Sequence, residues 1–299
     1  MTKNTRSYLL ALLTAMIWGS AFIAQKTGGT LGAFTYNGPR TLLGGLFLIP
    51  VIFILGLKEK KKNIKTLLVG SLSCGLMLFL ASSAQQIGIT YTTAGKAGFI
   101  TSIYAVFVPI LSLFTGKKVR PIIFLCALLS AAGLYLINMQ GSVMHFGLGD
   151  LWCFASSLLF ALHIMVIDYF SPKCQSVILS CLQFIISGLL GVLCMFLFES
   201  PQPQAMLKAY IPYLYGGIMS TGVAYTLQIV AQKNGNASGI SLILCLESVF
   251  AAIFGALLLG ERMSLTNIIG CALIFTAVIL STLPLERRLK SHESKRVVS

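Results

Sequence analysis

Apolar residues run along this chain in blocks of about 20. A surface helix would show them at three-and-four spacing, and a half-buried strand would alternate them. A helix rises 1.5 Å per residue, so about 20 residues cross a hydrocarbon core of about 30 Å. The blocks, read with their Gly, Pro and polar interruptions, predict ten spans: 7–25, 33–56, 66–88, 93–115, 119–139, 149–168, 176–198, 210–232, 237–258 and 264–283. Lipid offers the backbone no hydrogen-bond partner, so the spans are predicted to be helices; barrel strands would alternate apolar and polar residues. The connections are short, and KEKKKNIK at 58–65 is the most charged internal one. No soluble domain fits between the blocks, and 284–299 reads as a basic, disordered tail. Lys3 and Arg6 before the first block imitate a secretory signal, but the apolar run continues to Ile23 and Ala24, long for a signal core, and reads as the first span.

Composition agrees. Of 299 residues, 56% are hydrophobic and 10% charged, against about 25% charged in a soluble domain. The net charge of +14 changes meaning once the charges are placed. Seventeen of the 22 Lys and Arg residues fall on one side of the alternating connections: Lys3, Arg6, those of 58–65, 117–120, Lys173, Lys233 and the tail. The other side receives Lys26, Lys208 and Arg262, and Arg40 and Lys96 lie within spans. Basic residues are retained in the cytoplasm, so both termini are expected there, with 140–148 and 199–209 external. The charge then sets orientation in the cytoplasmic membrane and contacts headgroups, and nucleic acid is not an expected partner. Eight cysteines without CxxC spacing, seven of them in apolar segments, read as packing residues.

A shift of 143 residues lays the fourth span on the ninth: Ala94 meets Ala237, and Val106-Phe107 meets Val249-Phe250. Ala81 and Gln85 meet Ala224 and Gln228 at the same shift. Ala94, Gly98 and Ser102, and their counterparts Ala237, Ser241 and Cys245, each form a narrow small-residue stripe. Five spans per half is odd, so the second half enters from the opposite face. The predicted fold is an all-α membrane protein of ten transmembrane helices in two inverted five-helix repeats, 1–140 and 141–283. Secondary transporters often use this plan, with the solute near the midplane.

The segment LESVFAAIFGALLLGERMS at 246–264 resembles the last-but-one span of EamA-type members of the drug/metabolite transporter superfamily. MIWGSAFI (16–23), NGPRTLLGGLFLIP (37–50) and TYTTAGKAGFITSIYAVFVPILSLF (90–114) resemble that family's first, second and fourth spans. GDLWCFASSLLFALHIMVID (149–168) resembles the span that opens its second half. The resemblance covers about residues 8 to 283 and implies a ten-helix inverted-repeat carrier of amino acids, other metabolites or drugs.

Candidate site residues are the polar groups inside spans. Glu247 lies ten residues into the ninth span, about 15 Å along it and near mid-bilayer. An acid there costs about 2.5–3.5 kcal/mol on insertion scales, so it should face a cavity or a partner. It serves either solute contact and proton coupling or helix packing. Lys96 either snorkels to the interface or is a cation at the external mouth that holds a carboxylate of the solute or positions Glu247. Arg40 is too deep to be idle and either pairs structurally or touches solute. His163 can titrate near neutral pH, and packing is its plainer role. Trp18, Tyr104, Phe107, Gln85, Tyr225 and Gln228 are the aromatic and amide groups expected near a cavity, and Tyr104 is the repeat counterpart of Glu247. Asp150 and Asp168 fall at span ends where water is available, while Glu261 and Arg262 shape an external turn.

HExxH, GxSxG and P-loop patterns and close intramembrane aspartate pairs are missing, and GLGDLW at 147–152 is no dinucleotide fingerprint. No enzyme activity, cofactor or metal is therefore expected. The expected function is secondary export of small amphipathic, amino-acid-like metabolites, drawing on a solute or ion gradient. Import of a vitamin or nucleoside-like nutrient and flipping of a lipid carrier are the alternatives.

Overall fold

A computed structural model describes residues 3–28, 31–92, 94–138, 147–259 and 263–283. The expectations for Glu261, Arg262, most of the 140–148 connection and the basic tail lie outside them. Among the described residues there is helix and no strand. The first half contains α1 (Lys3–Gly28), α2 (Ala33–Ile54), α3 (Ile64–Tyr91), α4 (Ala94–Ser102), α5 (Tyr104–Phe114) and α6 (Pro121–Asn138). The second contains α7 (Leu148–Phe170), α8 (Ser176–Phe198), short α9 (Pro203–Lys208) and α10 (Tyr210–Leu214), a π-helical stretch Tyr215–Tyr225, α11 (Thr226–Asn234), α12 (Ala237–Leu244), α13 (Leu246–Leu259) and α14 (Leu265–Thr282). Among the described residues, seven helical stretches are long and apolar enough to cross a membrane.

The surface is apolar and much of the interior is not. Phe53, Phe114, Leu151, Phe196 and Leu265 project outward, each more than half exposed, while Arg40, Gln86, His163, Gln183, Gln228 and Glu247 are buried. In water so many exposed large apolar groups would drive association; lipid is their natural solvent.

Two predicted spans are not continuous. The 93–115 span breaks at Ile103, where Ile103 N–H bonds Ile100 O at 3.2 Å and Val106 N–H bonds Ile103 O at 2.8 Å. The 237–258 span breaks at Cys245, where Cys245 N–H bonds Leu242 O and Ser248 N–H bonds Cys245 O, both at 3.2 Å. Both breaks are a tightening from i−4 to i−3 bonding, with no Gly or Pro at the break. The predicted 210–232 span also departs from a plain α-helix. Its Gly216, Gly217 and Gly222 accompany a widening to π geometry, and side chains take up carbonyls on one face: Thr221 bonds Gly216 O (2.8 Å), Trp18 bonds Ser220 O (3.1 Å) and Thr14 bonds Ala224 O (3.2 Å). The expected 199–209 connection is partly helical, as α9.

The packing pairs the halves. α2 lies on α8 and α6 on α14. α3 and the α4–α5 pair pack on α7; α10 to α11 and the α12–α13 pair pack on α1. Glycines allow the closest approaches: a Cβ on Gly188 would stand 2.5 Å from Leu42 N, and one on Gly133 2.6 Å from Gly270 O.

Acids cap across halves. Glu199, after α8, accepts from Phe34 N–H (3.0 Å) and Thr35 N–H (2.6 Å) at the start of α2. Glu59, after α2, accepts from Gln175 N–H (2.6 Å) at the start of α8. Each carboxylate meets the positive end of a helix dipole. The end that holds Glu59 is also the basic one. Asn63 reaches Lys173 O, Lys233 reaches Cys174 O, and Arg120 reaches Ser281 O and Leu283 O. The basic connections separated in sequence thus meet at one end of the bundle.

Candidate functional site

The tightened turns at Ile103 and Cys245 put Tyr104 and Glu247 in the first turns of α5 and α13, facing each other across the join between the halves. Ser102 Oγ donates to Glu247 Oε1 at 3.3 Å. Cys245 Sγ lies 3.8 Å from Ser102 O, so the two turns touch directly. The Tyr104 hydroxyl sits beside the Glu247 carboxyl but meets no partner at hydrogen-bond geometry.

Around this pair is a central cavity of about 50 Å³. That is room for a few waters. Its lining comes from α1, α2, α3, α4, α5 and α7, the π stretch, α11, α12 and α13. Seven of the candidate residues line it: Glu247, Tyr104, Trp18, Arg40, Gln85, Gln228 and His163. Tyr225 lines it too, and its ring packs edge-on against Trp18 at 4.6 Å, Phe184 at 6.0 Å and His163 at 6.2 Å. Phe107 instead packs on Phe154 at 5.7 Å, away from the cavity.

The polar lining is under-bonded. Gln25 Oε1, Thr101 Oγ1, Tyr104 OH, His163 Nδ1 and Gln228 Oε1 are buried without a protein partner. Buried polar atoms are nearly always paired, and five around this one cavity are not. His163 Nε2 is held by Gln183 Oε1 at 3.2 Å. Gln25, Thr101, Phe160 and Ser220 also line the cavity and were not singled out in the sequence. Gln25 sits at the end of the first apolar block, and the others are residue types common in any span.

Lys96 is placed differently. Its Nζ lies 2.5 Å from Asp150 Oδ2, at the end of the bundle where α4 and α7 begin, and it does not line the cavity. Thr92 Oγ1 (2.9 Å) and Gly147 N–H (2.9 Å) complete the bonding of that carboxylate. At the opposite end Lys117, just after α5, pairs with Asp168 near the end of α7. The expectation that both aspartates lie in water therefore fails. They are 1% and 8% exposed, because α4–α5 packs along α7 and brings a lysine over each carboxylate. One pair stands at each end of the seam between α7 and the α4–α5 pair.

The EamA-like transporter family model matches residues 5–139 and again 147–283. The chain belongs to the EamA-like transporter family. This EamA-family transporter is 30% identical over 279 residues to an uncharacterized transporter of Archaeoglobus fulgidus, covering 91% of this chain and 84% of that one. It is 22% identical over 284 residues to the uncharacterized transporter YoaV of Bacillus subtilis, covering 91% and 95%. A solved crystal structure superposes with a TM-score of 0.81 at 19% identity, covering 95% of this chain and 99% of that chain. The EamA domain thus occurs twice, and the chain is a multi-pass membrane transporter.

Proposed function

We propose that this chain is a secondary active transporter that exports small amphipathic, amino-acid-like metabolites across the cytoplasmic membrane by alternating access. Its ten crossings form two inverted five-helix repeats, 1–140 and 141–283, with both termini cytoplasmic. The central cavity carries the reading: a largely apolar space set with under-bonded polar groups and lined from both halves, with one Lys–Asp pair toward each end. Opening one end while the other stays shut would expose the same groups to each side in turn, the behaviour of inverted-repeat carriers. The packing supports the inverted relation. α2 on α8 and α6 on α14 pair each helix with its own counterpart, and α3 on α7 is matched by α11 on α1. The exchanged caps of Glu59 and Glu199 obey the same relation. Glu247 at the centre is the group that can carry a proton.

The test is an untargeted comparison of solutes inside and outside cells with and without the protein, followed by flux of the enriched solutes in vesicles containing the purified chain. The reading expects amino-acid-like compounds to accumulate outside expressing cells. Accumulation of such compounds inside would reverse the direction, and no difference of any solute class would contradict transport of metabolites.

A further inference from the structure

We infer that Arg40 is the anchor for a carboxylate of the transported solute, held on one wall of the central cavity. This rests on the transporter reading above and adds the residue that selects for the anionic group. Arg40 is buried, 4% exposed, and lines the cavity. A guanidinium offers five N–H donors in a fixed fork. Two of them reach one acceptor, Asn37 Oδ1, from Nε at 3.1 Å and from Nη2 at 2.8 Å. The other three find no protein acceptor among the described residues, and no carboxylate there lies within ion-pair distance of Arg40. The face of Tyr36, 5.1 Å away, is its remaining attractive neighbour. A permanent charge inside the bundle held only by an amide and a ring is costly.

The side chain is also fixed in place. Asn37 Nδ2 donates to Ser82 Oγ at 2.8 Å, and Ser82 Oγ donates to Leu78 O at 2.6 Å. This chain from α2 to α3 orients the fork before any guest arrives, as a binding group needs. A planar fork with free donors suits the two oxygens of a carboxylate. Phosphate would meet the same donors, but Glu247 lines the same cavity, and a doubly charged group beside that carboxyl would be repelled. Arg40, Tyr225 and Glu247 all line this cavity, so the guanidinium and the carboxyl face one small space.

The competing role for Arg40 is to tie α2 to α3 through Asn37. Two variants separate the roles. Arg40→Gln removes the charge. Asn37→Asp keeps Arg40 and its position but places an internal carboxylate on the same two donors, and Ser82 can turn its hydroxyl to that carboxylate. Wild type and both variants, each checked for a single sharp elution peak, are reconstituted in vesicles. Uptake is measured for labelled amino acids, the matching amines without carboxylate, the matching acids without amine, and small phosphate esters. Carboxylate-bearing compounds are expected to enter wild-type vesicles and to fall by roughly thirtyfold or more in each variant, the size of deleting one partner of a buried charge pair. Should Arg40→Gln fail to fold, Asn37→Asp decides alone. A folded variant that still moves carboxylates at the wild-type rate overturns the assignment. So does a wild type that moves amines or phosphate esters but no carboxylate, which leaves the transporter reading standing. Wild-type vesicles that move none of the four classes contradict both.

Discussion

A carboxyl group in the middle of an apolar helix has to be met by its surroundings, and Glu247 is met only in part. Ser102 supplies one hydrogen bond at 3.3 Å, and the rest of the group opens on the cavity. Its importance was legible because one acid interrupts a run that is otherwise uncharged from Leu244 to Gly260. Glu247→Gln keeps the shape and most of the hydrogen bonding but cannot ionise. The variant is expected to fold and bind solute yet to lose dependence on a pH gradient, measured as uptake into vesicles with and without an imposed gradient. Unchanged gradient-driven uptake would make Glu247 a packing group. Lys96 was equally visible as a cation near the site, but its partner was not. Asp150 lies 54 positions along the chain, and only the packing of α4 on α7 brings the two together. Lys96→Met leaves the Asp150 carboxylate buried without its cation, a cost of about 3 kcal/mol for breaking such a pair. The expected outcome is a lower unfolding temperature and an equal loss of transport across solutes, with stability regained when Asp150→Asn is added. A loss confined to amino-acid-like solutes would instead return Lys96 to the binding site.

Among the elements, the continuous apolar runs were readable and their interruptions were not. Neither Ile103 nor Cys245 is a helix breaker, so 93–115 and 237–258 read as unbroken. The breaks arise where the two halves press together, at Cys245 against Ser102, and tertiary contact overrides local preference there. The π stretch left a fainter sign in Gly216, Gly217 and Gly222, residues that also read as ordinary small-residue packing. Close helix approach gives a sharper test. A methyl added at Gly188 would meet the backbone of Leu42 at 2.5 Å, whereas one added at Gly239, in α12, would meet nothing within 4 Å. Gly188→Ala is therefore expected to destabilise by about 1–3 kcal/mol, the usual cost of overpacking. Gly239→Ala should be neutral or stabilising by up to about 1 kcal/mol, the helix preference of Ala over Gly. Thermal unfolding of both purified variants in detergent decides this. Equal effects would mean that α2 and α8 are not held at the observed distance.

At the scale of the whole molecule, hydropathy carried most of the fold, since spacing alone located every long helix to within a few residues. The shift of 143 residues carried the pairing of Tyr104 with Glu247. What it could not carry was the cross-capping by Glu59 and Glu199 or the two Lys–Asp pairs, because these depend on which helices become neighbours. A central cavity with an ion pair toward each end is useful to a carrier only if each end opens in turn. Accessibility of a cavity-lining residue from each side measures that directly. Gln228 is buried, lines the cavity and lies in α11. Gln228→Cys, made in a chain with its eight native cysteines replaced by serine or alanine, is exposed to a membrane-impermeant thiol reagent from one side of sealed vesicles and, separately, from the other. The account predicts modification from both sides, each slowed by saturating transported solute. Modification from only one side under every solute and gradient condition, or from neither, would contradict it.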